Sequence, residues 1–209
     1  MRASIVPATE QDLNDIQRFW YDIYVSEMQR HISDPLTDHD ARILRDPLTP
    51  AGKIYIARDE RRAVVATVMN TTAASADLGK YENLYGIDRL EPQDRARASI
   101  TTKLMVAPLF RRTRLPLLMA TKIYQHLLEI GMEVDHIDCN DHLVGFFLKL
   151  GFLPHRGRIV HRDYGAVNSM ALQLRDSEHL KSVNSPFLRA LNAYNAEHNN
   201  QSGEASHAA

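Results

Sequence analysis

Apolar residues at Leu13, Ile16, Phe19, Trp20, Ile23 and Tyr24 recur at the spacing of one helix face, with polar residues between them. Thr9 stands where a helix cap would, and Asp12 follows three residues on in a capping-box-like position. Residues 4–7 ahead of it make a short strand. Between 33 and 50 the pattern dissolves around Pro35, Pro47 and Pro50, which predicts a loop with one helical turn near residues 40–44. Apolar runs at 53–57 and 63–72 flank the polar turn Asp59-Glu60-Arg61-Arg62 and read as a hairpin. Residues 76–94 read as irregular to helical, with Tyr81, Leu84, Tyr85, Ile87 and Leu90 as packing positions.

A further strand is predicted at 100–106. A helix then starts around Pro116, whose missing N–H costs little in a first turn, and runs to Ile130 with a stop at Gly131. Residues 134–139 read as strand and 143–150 as a short helix that gives way at Gly151. Segments 158–161 and 167–174 form a last antiparallel pair around Asp163-Tyr164-Gly165. The order is β, α, α, β, β, β, α, β, α, β, β, a mixed α/β (α+β) pattern. Beyond it, Leu180, Val183, Phe187, Leu188, Leu191 and Tyr194 outline a docking helix, and the polar, alanine-rich end from Asn195 is expected to be disordered. The expected organisation is one domain over residues 1–174, a helical extension over 175–194 and a tail over 195–209.

Composition narrows the class. A chain of 209 residues with a formal net charge of −1 has room for an independent core, and no field of one sign that would advertise nucleic acid or a membrane surface. One cysteine, Cys139, excludes an internal disulfide and suits a reducing cytosol. The start Met1-Arg2-Ala3-Ser4-Ile5-Val6-Pro7 lacks the apolar run of a signal peptide, and no stretch approaches the roughly 20 apolar residues of a bilayer span. The expectation is a cytoplasmic protein.

The chemistry gathers where the 100–106 strand meets its helix. A strand handing over to a helix through a basic turn concentrates free backbone N–H groups and cations at one point, and phosphate is the commonest occupant of such a point. The alternative is a solvated arginine cluster.

Two stretches carry a family resemblance. Val106-Ala107-Pro108-Leu109-Phe110-Arg111-Arg112 is similar to the strand exit and pyrophosphate turn of the GNAT acyltransferase superfamily. Asn140, Phe147 and Gly151-Phe152 resemble its following strand–helix motif. Within the superfamily, Arg111-Arg112-Thr113-Arg114-Leu115-Pro116-Leu117, the stretch from Cys139 to Phe147, and Tyr24-Val25-Ser26-Glu27-Met28 look like the long-chain N-acyl amino acid synthases and the allied acyl-homoserine lactone synthases. The resemblance implies a mostly antiparallel central sheet flanked by helices. It also implies direct attack of an amine on a thioester, with acyl-CoA or an acylated carrier protein as donor.

It further implies a donor site at Leu104, Met105, Val106, Arg111, Arg112, Thr113, Arg114, Leu115, Asn140 and Phe147, with strand N–H groups near 104–106 on the thioester oxygen. Two departures matter. The turn lacks the family's glycines, which favours a single phosphodiester, as on a carrier protein's phosphopantetheine arm, over a pyrophosphate. Phe147 stands where members place a tyrosine that protonates the leaving thiolate; a thiol of pKa about 8.5 can leave without it. Glu27 is the candidate base or amine anchor, the alternative being an exposed helix-end carboxylate. Tyr24, Thr101 and Thr102 are candidates for lining the acceptor cleft, the threonines alternatively just pairing across the sheet. His136, Asp138, Cys139 and His142 match no zinc spacing, and no metal is expected. The expected partners are a small-molecule amine and a carrier protein, with no nucleic acid. The rival readings are an acetyl-CoA-dependent N-acetyltransferase and a non-catalytic acyl-thioester-binding module.

Overall fold

The computed structural model describes residues 4–30, 36–161 and 165–205. Strand β1 (Ser4–Pro7) leads into the capping box, where Thr9 N–H and Oγ1 both donate to Asp12 Oδ2 at 2.8 Å. Helix α1 (Leu13–Tyr21) buries Ile16, Phe19 and Trp20, the stripe that the spacing predicts, and continues as a wider π-helical turn (Asp22–Glu27) closed by Met28 N–H on Ile23 O. Such turns arise where a helix accommodates an extra residue, frequently at functional sites. Residues 40–44 do not form the expected helical turn: β2 (Thr37–Asp38) and β3 (Ile43–Leu44) pair as a small hairpin. Asp38 Oδ1 accepts Ala41 N–H and Arg42 takes a φ of 54°, so side-chain capping overrides the helical spacing.

The main sheet adds β4 (Lys53–Arg58), β5 (Val64–Thr72), β6 (Ala98–Val106), β7 (Val134–Cys139), β8 (Leu153–His161) and β9 (Gly165–Gln173) in the order β1-β4-β5-β6-β7-β9-β8. All neighbours are antiparallel except β6 and β7. That parallel pair requires a crossover, which α4 (Leu115–Glu129) supplies. The fold is therefore the mixed, mostly antiparallel α/β architecture read from the sequence. Strand β8 starts earlier than expected, at Leu153, because a bulge between Pro154 and Gly157 lets Pro154 join the ladder. Of the predicted final turn, Asp163 and Tyr164 lie outside the described residues.

Two cores sandwich the sheet. On one face α1, α2 (Lys80–Tyr85) and the short α3 (Pro92–Arg95) enclose Trp20, Leu44, Met69, Tyr85 and Ile100. On the other, α4, α5 (Val144–Leu150) and the C-terminal α6 (Ser177–Ser182) and α7 (Phe187–Ala205) enclose Tyr124, Phe147, Leu172 and Phe187. The single docking helix expected over Leu180–Tyr194 is two: Leu180 lies in α6, Phe187, Leu188, Leu191 and Tyr194 lie in α7, and Val183 caps α6 between them. The second of them is the longer. It runs on through Ala205, past Asn195, where the disordered tail was expected to begin. Among the described residues no helix is long and apolar enough to cross a membrane.

Candidate active site

Strand β6 does not stay regular. Thr67 faces Met105 and Met69 faces Thr102, so β6 holds one residue more than β5 between those pairs. Lys103 takes up the excess with φ = 56°, a left-handed conformation that costs a residue with a Cβ about 1–3 kcal/mol. Its surroundings hold it there. Trp20 Nε1–H donates to Thr67 Oγ1 at 3.0 Å, and that hydroxyl donates to Lys103 O at 2.8 Å. The Lys103 ammonium lies 2.5 Å from Asp46 Oδ2 and over the rings of Trp20 and Tyr24, 5.5 and 5.4 Å from their centroids. The ion pair is buried, with side chains 2% and 5% exposed. Burial pushes the Asp46 carboxyl up, and the neighbouring ammonium more than reverses it, leaving it below its ordinary value.

A bulge bends its strand. Parallel pairing of β6 with β7 accordingly covers Ala98–Ile100 against Val134–His136 and goes no further. Beyond that point the strands part. Leu104, Met105 and Val106 lie along the opened edge, where the sequence put the thioester.

The basic turn sits where β6 ends. Thr113 Oγ1 donates to Phe110 O at 2.7 Å and accepts Leu115 N–H at 3.1 Å, while Leu115 is buried and anchors the helix start. Arg111 is not available as the sequence suggests. Its Nε donates to Val106 O at 2.8 Å, and its two Nη groups grip Glu27 Oε1 and Oε2 at 2.5 and 2.7 Å. Arg112 and Arg114 remain exposed, and among the described residues they make no ion pair. The amides of Arg112, Arg114 and Leu117 likewise donate to nothing among the described residues. Two guanidinium groups and three amides at a helix start suit an anion.

The same pairing bears on Glu27. Hydrogen bonds from Arg111 hold its carboxylate below the usual range, which makes it a poor base and a tether between the π-helical turn and the basic turn. Asn140 accepts from Arg30 Nη2 at 2.8 Å, at the rim of an open groove lined by Met28, Gln29 and His142.

The two faces of the opened sheet differ. Towards α4 and α7 lies an enclosed apolar cavity of about 20 Å³, lined by Thr101, Leu104, Tyr124, Ile137, Phe147 and Phe187. Thr101, expected in the acceptor cleft, lies on this face instead, opposite to Thr102, and its hydroxyl accepts from Asn70 Nδ2 at 2.9 Å. Phe147 is buried edge-on against Phe146 and Phe152. Cavity walls also include Asp135, which Ser99 Oγ and Asn70 Nδ2 contact at 2.7 and 3.1 Å, and whose carboxyl burial pushes up to about 7. Cys139 is buried with its Sγ 3.7 Å from Met170 Sδ, and burial pushes the thiol up to about 12, far from a nucleophile.

The α1/α2 face is polar. Tyr85 stacks on His136 at 5.8 Å and donates its hydroxyl to Asp138 Oδ2 at 2.9 Å. The ladder puts Thr102, His136, Asp138 and Ser169 on this one face. The buried hydroxyls of Thr102 and Ser169 and both His136 ring nitrogens have no protein partner among the described residues. Burial, with His155 nearby, holds the His136 imidazole down to about 4, so it is neutral. Tyr24, predicted for this side, borders it beside Lys103; burial pushes its phenol up to about 12.

Sequence reasoning missed Lys103, Asp46, Tyr85 and Asp138. Their signal was present: a lysine in an apolar strand, and His136-Ile137-Asp138 in a strand that helices cover on both sides, where a continuous apolar run is the norm. Read only against metal spacings, that stretch said nothing.

Neither protein-family models nor curated protein sequences match the chain. Solved structures do. A CoA-dependent acyl-homoserine lactone synthase, BjaI, determined with SAM and isopentyl-CoA, superposes with a TM-score of 0.66 at 15% identity, over 93% of this chain and 100% of its own. FeeM, an N-acyl amino acid synthase from uncultured soil microbes, gives 0.68 at 11% identity, over 90% and 97%. A GNAT-family acetyltransferase from Staphylococcus aureus gives 0.55 at 14% identity, over 83% and 99%. The opened parallel pair, the helix start beyond it and these superpositions agree: the chain has the GNAT fold, in the form that the acyl-homoserine lactone and N-acyl amino acid synthases share with the acetyltransferases.

Proposed function

We propose that the protein is an N-acyltransferase that moves an acyl group from a thioester donor to the primary amine of an amino acid or similar small molecule. The observation that carries this reading is the split between β6 and β7. It joins a basic helix start, an apolar cavity on one face and, on the other, buried polar atoms left unpaired among the described residues. A donor whose phosphate rests on Arg112, Arg114 and the amides of the turn would bring its thioester along residues 104–106, with the acyl chain towards the cavity. There, strand N–H groups aimed at the carbonyl oxygen would stabilise the developing oxyanion. With Arg111 committed to Glu27, the remaining donors fit one phosphodiester, in keeping with acyl carrier protein as donor beside acyl-CoA.

The second reading, an acetyl-CoA-dependent acetyltransferase, is favoured by the cavity itself: about 20 Å³ receives a long chain only if side chains move. Thermal shifts with acetyl-CoA, palmitoyl-CoA and a palmitoylated carrier protein separate the two. Preferential stabilisation by the palmitoyl donors supports the long-chain reading, acetyl-CoA alone supports the second, and no shift from any donor defeats both. Arg112→Ala is expected to weaken donor binding several-fold by titration calorimetry; unchanged affinity would remove the turn from the site.

A further inference from the structure

We propose that Asp138 is the proton acceptor for the incoming amine, and that the buried polar cluster of Thr102, His136 and Ser169 beside it engages the head group of an α-amino acid. This rests on the acyltransferase reading and adds to it the residue that takes the proton and the groups that hold the acceptor.

Transfer needs a neutral amine, and an α-amino group is largely an ammonium at neutral pH. A base must therefore sit on the acceptor side of the split, within reach of the nitrogen. Among the described residues, three carboxylates border that side. Glu27 is held by both Nη groups of Arg111, and Asp46 by the Lys103 ammonium; both carboxyls lie below their ordinary values. Asp138 is different. It is partly exposed, and its Oδ2 accepts from Tyr85, while its Oδ1 takes no hydrogen bond among the described residues. Burial pushes this carboxyl above its ordinary value, against the pull of Tyr85, Lys103, Arg30 and Lys80.

Its place in the sheet is also right. Ile100 and His136 are the last parallel pair, so Asp138, two residues on and on the same face as His136, stands in the mouth of the split. Thr102 occupies the matching position on β6, and Ser169 lies opposite Asp138 on β9. Their hydroxyls and the His136 ring nitrogens are buried polar atoms without partners among the described residues, which proteins rarely keep unless something polar engages them.

The groups around Asp138 have mixed sign. Tyr85 and Lys80 come from α2, Lys103 from β6, His136 from β7, Tyr24 and Arg30 from the end of the first helix, and Asp46 stands behind Lys103. Groups of both signs suit a zwitterion, with its ammonium on Asp138, over a simple polyamine.

The steps balance. The ammonium gives one proton to Asp138, which releases it to solvent. The nitrogen lone pair then attacks the thioester carbon, a C–N bond forms, and the C–S bond breaks with its electrons on sulfur. The second amine proton neutralises the thiolate, so the products are amide, thiol and one released proton.

The test combines turnover with titration. Thiol release from palmitoyl-CoA with a mixture of the amino acids is measured for wild type, Asp138→Asn and Tyr85→Phe. Asp138→Asn is expected to lose about 100-fold or more in kcat/KM near neutral pH. That deficit should shrink as pH approaches the amine's own pKa, while coenzyme A binding stays unchanged. Wild-type kcat/KM in folded Asp138→Asn would overturn the assignment. Independently of turnover, carboxyl ¹³C NMR assigned with Asp138→Asn should show Asp138 titrating above an ordinary aspartate. A midpoint at or below the ordinary value overturns it even if no acceptor reacts. Thiol release by wild type with other amines but no α-amino acid would overturn the acceptor class. No release from any donor, with a raised Asp138 midpoint, would instead count against the acyltransferase reading.

Discussion

At the scale of single residues, Lys103 shows how a costly conformation persists. Its left-handed backbone is offset by a buried ion pair, two aromatic faces and the Trp20–Thr67 hydrogen bonds on its carbonyl. Removing one partner of a buried pair strands the other charge, so Lys103→Met should cost about 3–5 kcal/mol in urea unfolding. The double variant with Asp46→Leu should cost less than the two single changes added together. Asp135 makes the opposite case. Its carboxyl is raised, so the stability it contributes is complete below the ordinary aspartate value of about 4 and is lost as pH rises through about 7. Wild type should therefore weaken relative to Asp135→Asn between those pH values, measured by urea titrations at stepped pH. A constant difference between the two would show that the buried carboxyl keeps its ordinary affinity for protons.

Among the elements, α7 is more than an extension. Phe187 stacks on Tyr124 of α4 at 4.2 Å with rings 7° from parallel, and both line the apolar cavity. Tyr124 in turn donates its hydroxyl to Leu174 O at 2.6 Å. Phe187→Ala should cost about 3–5 kcal/mol by the same unfolding assay, and a loss under 1 kcal/mol would make α7 a loosely docked appendage. Most elements were legible in the sequence because their signals are local: the α1 stripe, the Thr9–Asp12 box, the stop at Gly131 with its φ of 76°. The β2–β3 hairpin was not, because Asp38 and Arg42 set it by side-chain bonding and backbone conformation rather than by periodicity. The register step that moves Thr101 to one face and Lys103 to the other is invisible in the alternation of β6, since a bulge adds a residue without changing composition.

Across the whole molecule, the division of labour follows the sheet. The turn that the arginines marked does sit at a helix start, yet Arg111, though exposed, braces it, because Glu27, 84 residues earlier, folds back onto it. No local pattern records such a contact. The polar cluster proposed for the acceptor was hidden for the same reason: Thr102, Asp138 and Ser169 come from three strands and meet only through the ladder. What could be read locally was the basic turn, and what needed the fold was the polar face of the split beyond it.

The chain's one tryptophan is Trp20, and its indole hydrogen-bonds the bulge through Thr67 while its ring faces the Lys103 ammonium. Indole emission responds to a nearby charge and to the loss of a hydrogen bond. The protein is thus born with an optical gauge at the hinge of its opened strands, one that needs no attached dye and that the eight tyrosines do not obscure under selective excitation.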